Sequence, residues 1–175
     1  MADVGALRIQ DRDGHAHTVR ELTTLFDLCL VVVDGGHPVD LARLERVIER
    51  IDRTLSGADC TVGVLVVGVD GPTAVDLAGH AARYTAVFAD PTGEAAAGLG
   101  VTGVPALVWV TPEPAVEAVA NGWEGAAWRS VLGALARKLA WTRPLVPAPG
   151  DPAPFIRTRG DQTRKEDNSD VRLVS

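Results

Sequence analysis

Two hydrophobic periods divide the chain. "LCLVVV" (28–33) and "CTVGVLVVGV" (60–69) are apolar without alternation and rich in β-branched residues. That pattern suits strands covered on both faces, as in a parallel sheet. Between them, Leu41, Leu44, Val47, Ile48, Ile51 and Leu55 recur at helical spacing, with Arg43, Arg46, Glu49, Arg50 and Arg53 largely on the other side. This predicts an amphipathic helix, opened by Pro38, whose missing N–H has no partner in a first turn anyway.

The remaining elements follow from local patterns. Residues 6–20, "ALRIQDRDGHAHTVR", read as a β-hairpin turning at Asp13-Gly14, and "ELTTLF" as a helical turn. "TAVDLAGHAARY" (73–84) reads as a helix and "TAVFA" (85–89) as a strand stopped by Asp90-Pro91. "TGEAAAGLG" is a short helix with Gly100 as its stop, and "PALVWV" (105–110) a strand with proline at its first position. "AVEAVA" reads as an antiparallel edge strand, and "EGAAWRSVLGALARKLA" as the last helix. Strands alternating with helices imply an α/β fold with right-handed crossovers. The parallel units are too few for a dinucleotide-binding domain, and no G-x-G-x-x-G follows a strand.

From Thr142 the character changes. "TRPLVPAPGDPAP" is proline-rich and extended, and "FIRTRGDQTRKEDNSDVRLVS" is polar and of mixed charge. The expected division is a folded domain over 1–141 and a disordered tail over 142–175.

Composition narrows the function classes. The chain has 175 residues, 46% hydrophobic and 23% charged, which suits one globular domain. A net charge of −6 argues against general affinity for nucleic acid or an anionic membrane. No secretory signal is legible in "MADVGALRIQDRDGHAH", and no apolar run is long enough to span a bilayer. With Cys29 and Cys60 the only cysteines, no disulfide framework is implied, and the expectation is a cytoplasmic protein. The preference for Arg over Lys, with abundant Ala, Val and Gly, suggests a GC-rich bacterial source.

"FADPTGEAAAGLGVTGVPALVWV" (88–110) resembles the second half of thioredoxin-like proteins of the peroxiredoxin and TlpA (redoxin) type. In these a strand ending in Asp-Pro leads through a short helix to Gly-Val-x-Gly-x-Pro and an apolar strand. The matching residues here are Gly100, Val101, Gly103, Val104 and Pro105. The resemblance covers roughly residues 6–140. It implies a thioredoxin-like α/β fold: a central mixed sheet, helices on both faces and an N-terminal β-hairpin. It also implies that Pro105 is cis, facing the redox position. An X-Pro bond loses only about 0.5–1 kcal/mol on becoming cis, so tertiary contacts can hold it.

The departure lies where Cys-x-x-Cys belongs: the strand-to-helix turn holds Gly36-His37-Pro38-Val39. The helix N-terminus that would stabilise a thiolate is present, and the sulfur is not. A peroxidatic cysteine is missing from the same region. Cys29 and Cys60 stand at the starts of their strands, away from the carboxyl ends where sites in open α/β sheets lie. They read first as small core side chains. A disulfide between neighbouring strands is the alternative, needing Cα atoms within about 7 Å.

Three readings of function follow. The first is a non-catalytic module without cofactor or metal, binding a peptide or protein partner in the groove formed by Gly36, His37, Pro38, Val39, Val104 and Pro105. The second is a thiol oxidoreductase or antioxidant protein working through Cys29 or Cys60. The third is a stand-alone accessory domain similar to the C-terminal domain of flavin-dependent aromatic hydroxylases, which also lacks the redox motif. His37 reads either as an exposed turn residue or as a ring offered to an anion or a proton at the mouth of the site. His15 and His17, with Asp11 and Asp13, read as a solvated hairpin more readily than as metal ligands. The four Trp residues read as buried anchors or as the rim of a binding groove.

Overall fold

The structure is a computed structural model that describes residues 2–158. The strands are β1 (Arg8–Gln10), β2 (Ala16–Thr18), β3 (Asp27–Asp34), β4 (Cys60–Val67), β5 (Ala86–Asp90), β6 (Gly103–Val104), β7 (Ala106–Val110), β8 (Val116–Asn121) and β9 (Arg157–Thr158). The helices are α1 (Val19–Leu22), α2 (Pro38–Leu55), α3 (Gly71–Ala78), α4 (Glu94–Gly98) and α5 (Gly125–Lys138).

Among the described residues the main sheet has seven strands, in the order β2-β1-β5-β4-β3-β7-β8. β3, β4 and β5 run parallel at its centre, and β7, β8 and β1 join antiparallel. The period-2 rule sorts β3 between two cores. Cys29, Val31 and Val33 pack on the side of α2, α3 and α5. Leu28, Leu30 and Val32 pack with Val19 of α1 and Ala95 and Ala96 of α4. β3 is therefore buried almost throughout, which is why its sequence does not alternate. The apolar stripe of α2 is buried as its spacing predicts, each such side chain contributing about 1.5–3 kcal/mol. The resulting architecture is the mixed α/β sheet with helices on both faces that the sequence led us to expect.

The N-terminal hairpin closes as its Asp-Gly turn predicts. Gly14 takes φ +86°, and the Asp11 carboxylate accepts from the Asp13 and His15 backbone N–H groups, each at 2.9 Å. Its other oxygen lies 2.8 Å from His17 Nε2.

The expectation of a disordered tail from Thr142 is corrected for residues 142–158, which lie along the domain. Val146 is buried, and the ring of Pro147 sits against Gly125, where a side chain would leave no room for it. Arg50 donates to both oxygens of Asp151 at 2.8 and 2.9 Å and to the Leu145 carbonyl at 2.9 Å. The prolines deny this strap a helix or a full strand, and side-chain anchors fix it instead. The expectation for 159–175 lies outside the described residues.

Candidate functional site

The turn after β3 is held by its own backbone. Gly35 N–H donates to the Val67 carbonyl at 2.8 Å, and Gly36 N–H to Asp34 Oδ1 at 2.9 Å. His37 occupies the N-cap of α2, with no side-chain capping bond, and its Nδ1 lies 3.3 Å from Asp34 Oδ2. The ring is thus half-buried against a carboxylate. Pro38 opens the helix, and Val39 points outward and is exposed. Asp40 turns the other way and is buried.

Across from this turn, Val104–Pro105 is a cis peptide bond between β6 and β7. β6 is a separate edge, and it is covered. β9 pairs with it antiparallel, Gly103 opposite Thr158 and Val104 opposite Arg157. Upstream on the same segment, Trp123 N–H donates to the Phe155 carbonyl at 2.7 Å, and Phe155 N–H donates back at 3.1 Å. The chain's own C-terminal segment therefore lies as an extended strand beside the proline.

Side chains fill the groove as well. The Phe155 ring lies beneath the Arg43 guanidinium, 4.3 Å from its carbon. Ile156 lies over Gly103 and Gly122, where a Cβ on either glycine would come within 2.7 and 3.0 Å of it. The Arg157 guanidinium donates from Nε and Nη2 to the carboxylate of Asp40. Arg157 thus ties the first turn of α2 to the strand opposite Val104. Beside it, Asp34, Gly68, Gly93, Val101 and Thr158 border a cavity of about 180 Å³.

The sequence reading singled out Gly36, His37, Pro38, Val39, Val104 and Pro105. It did not single out Asp40, Gly122 or the occupying Phe155-Ile156-Arg157, and it read Trp123, with the other Trp residues, as a buried anchor or a groove rim. Asp40 carried one available signal, a carboxylate in a helix's first turn, but helix polarity alone accounts for that. Trp123 is buried with its Nε1 donating to the Pro152 carbonyl at 2.8 Å, so it is an anchor for the strap. Trp128 is buried against it in a T-shaped pair with centroids 4.8 Å apart, Trp109 is buried elsewhere, and Trp141 is partly exposed.

Both cysteines are free, at the N-terminal ends of β3 and β4, the far end from the turn. Burial pushes the Cys29 thiol well above its ordinary pKa. Burial, reinforced by the Asp27 carboxylate, pushes Cys60 up to about 12. Thiolate is the nucleophile, so neither position favours thiol chemistry. Among the described residues, Asp11, Asp13 and His15 bring ligand atoms within 4.8 Å of one another. Hydrogen bonds to Asp11 already close the hairpin there. No helix among the described residues is long and apolar enough to cross a membrane.

No protein-family model matches the sequence, and no curated protein matches it. Solved structures do. A Bacteroides thetaiotaomicron protein assigned as a protein disulfide isomerase superposes with TM-score 0.62 at 14% identity, over 80% of this chain and 92% of that one. Mycobacterium tuberculosis DsbF gives 0.54 at 17% identity, over 78% and 94%. The exposed lipoprotein thioredoxin Etrx1 of Streptococcus pneumoniae gives 0.54 at 18% identity, over 73% and 98%. At these identities the likeness concerns architecture and not activity. Sheet order, proline loop and superposition agree that this chain has the thioredoxin-like fold.

Proposed function

We propose that the chain is a non-catalytic binding module of thioredoxin-like fold, which holds extended polypeptide against the Gly103–Val104 edge beside Pro105. The filling of the groove by Phe155, Ile156 and Arg157 counts against an open binding groove. The observation that carries this reading is the manner of that filling: the antiparallel pairing of Gly103 and Val104 with an extended segment, supplied in this structure by the chain itself. Strand addition to a free edge gains affinity from main-chain hydrogen bonds and specificity from the flanking side-chain sites. The turn at Gly36–Val39 offers no thiol, so the bound polypeptide is held and not oxidised or reduced. Two free thiols suit a reducing compartment, the cytoplasm in this reading.

The second reading is a thiol oxidoreductase, and the names of the similar structures favour it. It requires Cys29 or Cys60 to ionise in the folded protein, and burial opposes that.

One experiment separates the two. The wild type and a Cys29→Ala, Cys60→Ala double variant are assayed for reduction of a model peptide disulfide. Both are expected at background. In parallel, a cysteine-free peptide is titrated into isotope-labelled full-length protein carrying Arg157→Ala, with shifts expected at the Gly103 and Val104 amides. Turnover in the wild type that disappears in the double variant establishes the redox reading instead.

A further inference from the structure

Resting on the reading above, we propose that Phe155–Thr158 is a displaceable internal ligand of this site. The external ligand it competes with is then an extended segment with the same order of side chains: aromatic, aliphatic, basic. Asp40 is the residue that selects the basic position.

Each position in that order has its own receptor. The aromatic ring is covered by the Arg43 guanidinium and flanked by the Trp123 backbone, which donates to and accepts from the same residue. The aliphatic side chain lies on a shelf of two glycines. A Cβ on Gly103 would come within 2.7 Å of Ile156 Cδ1, and one on Gly122 within 3.0 Å of Ile156 Cβ. The shelf therefore exists only because both residues lack side chains. The basic residue meets a carboxylate whose side chain is only 4% exposed. A guanidinium placed there makes charge-assisted bonds, whereas an acidic residue would set two carboxylates against each other. The net charge of −6 also favours a basic ligand over an acidic one.

Displacement is local because the strap has two separate attachments. Its root is fixed by Asp151 on Arg50, by buried Val146 and by Pro147 against Gly125. The ligand-like part begins after Pro154. It is held by two short stretches of pairing, by Phe155 under Arg43 and by the Arg157–Asp40 pair, whose arginine is one-third exposed, and its Ile156 is 57% exposed. Phe155–Thr158 can leave while the root stays seated. Asp40 then faces water or an incoming basic residue, and is not left as a buried lone charge. A tethered competitor acts at an effective concentration on the order of millimolar, so it suppresses weak and unselective partners.

The test uses full-length protein and two synthetic peptides, Ala-Pro-Phe-Ile-Arg-Thr and the same peptide with Glu in place of Arg. Binding is followed at the Gly103 and Val104 amides in wild type, in Arg157→Ala and in Ile156→Asp. The second loosened variant changes an exposed side chain, so that a folding defect in the first does not decide the result. The expected result has three parts. The Arg peptide binds both loosened variants at least tenfold more tightly than wild type. The Glu peptide binds them at least tenfold more weakly than the Arg peptide. In the Arg157→Ala, Asp40→Asn double variant that preference falls below about threefold.

If the loosened variants bind both peptides equally, binding at the edge stands and the side-chain order proposed here is overturned. If folded loosened variants bind neither peptide, both readings fall. If a loosened variant forms dimers by light scattering and binds no peptide, the edge is an interface between copies, and the proposal is overturned in favour of self-assembly.

Discussion

Arg157 and Asp40 are 117 residues apart in sequence and form an ion pair that joins the C-terminal segment to the first turn of α2. The Asp40 side chain is nearly fully buried, and that of Arg157 is one-third exposed. Truncating one partner of a fully buried pair costs about 3–5 kcal/mol. Exposure of the arginine, and the freedom of its segment to lift away, reduce this. Arg157→Ala is expected to lower unfolding stability by about 1–2 kcal/mol, measured by urea denaturation. Chymotrypsin should also cut the strap after Phe155 faster than in wild type, while the rest of the domain stays resistant. A loss above 4 kcal/mol would show that the segment is integral to the fold and not displaceable.

Thiol reactivity should follow burial. A thiol whose pKa is near 12 holds roughly a thousandfold less thiolate at pH 8 than an ordinary cysteine near 8.5. Alkylation of Cys60 in the native protein is therefore expected to be slower than in denaturant by about three orders of magnitude, read by mass spectrometry, and Cys29, whose thiol burial also pushes up, is expected to react slowly as well. Fast native labelling of either position contradicts the structure.

The same thiols give stability a pH dependence. Their folded pKa values lie above the unfolded ones, so above about pH 9 the unfolded chain gives up protons that the folded chain keeps. Stability is complete below that pH and is expected to fall as pH rises from about 9 towards 12. Cys60→Ala should flatten the decline, as measured by denaturant midpoints across that range.

Asp27 is buried at the start of β3, accepting from Trp109 Nε1 at 2.7 Å and from Lys138 Nζ at 2.6 and 2.7 Å. This pair pins the end of α5 to β3 and β7. Lys138→Met removes the countercharge and keeps the aliphatic stem, isolating the electrostatic part. A loss of about 1–3 kcal/mol is expected, smaller than for a fully buried pair because Lys138 is 41% exposed. Intrinsic Trp fluorescence gives the readout, and an unchanged denaturation midpoint would contradict the assignment.

The hairpin has the opposite pH sign. The His17 side chain, followed by the backbone N–H groups of His15 and Asp13, lowers the Asp11 pKa to about 2. The carboxylate therefore supports the hairpin at all pH values above the ordinary Asp range and loses that role only as pH falls from about 4 to 2. Protection of the His15 amide, taken relative to an unstructured chain at the same pH, should hold at pH 5 and fall below pH 3. Asp11→Asn should show raised exchange already at neutral pH.

Periodicity along the chain determined the sheet and its covering helices, because the patterns of β3, β4, α2 and α5 are local consequences of which faces are buried. It also located the turn at Gly36–Val39, where an apolar run meets Pro38, and the loop before Pro105. The strap escaped this reading. Prolines in 144–154 remove backbone donors and break every period, so the segment carries the composition of a disordered linker. What orders it is a set of contacts with residues about a hundred positions earlier: Arg50 with Asp151, Arg43 with Phe155, Asp40 with Arg157. No short-range pattern records such pairings. Whether the groove beside Pro105 is open or occupied was therefore decided by tertiary structure alone.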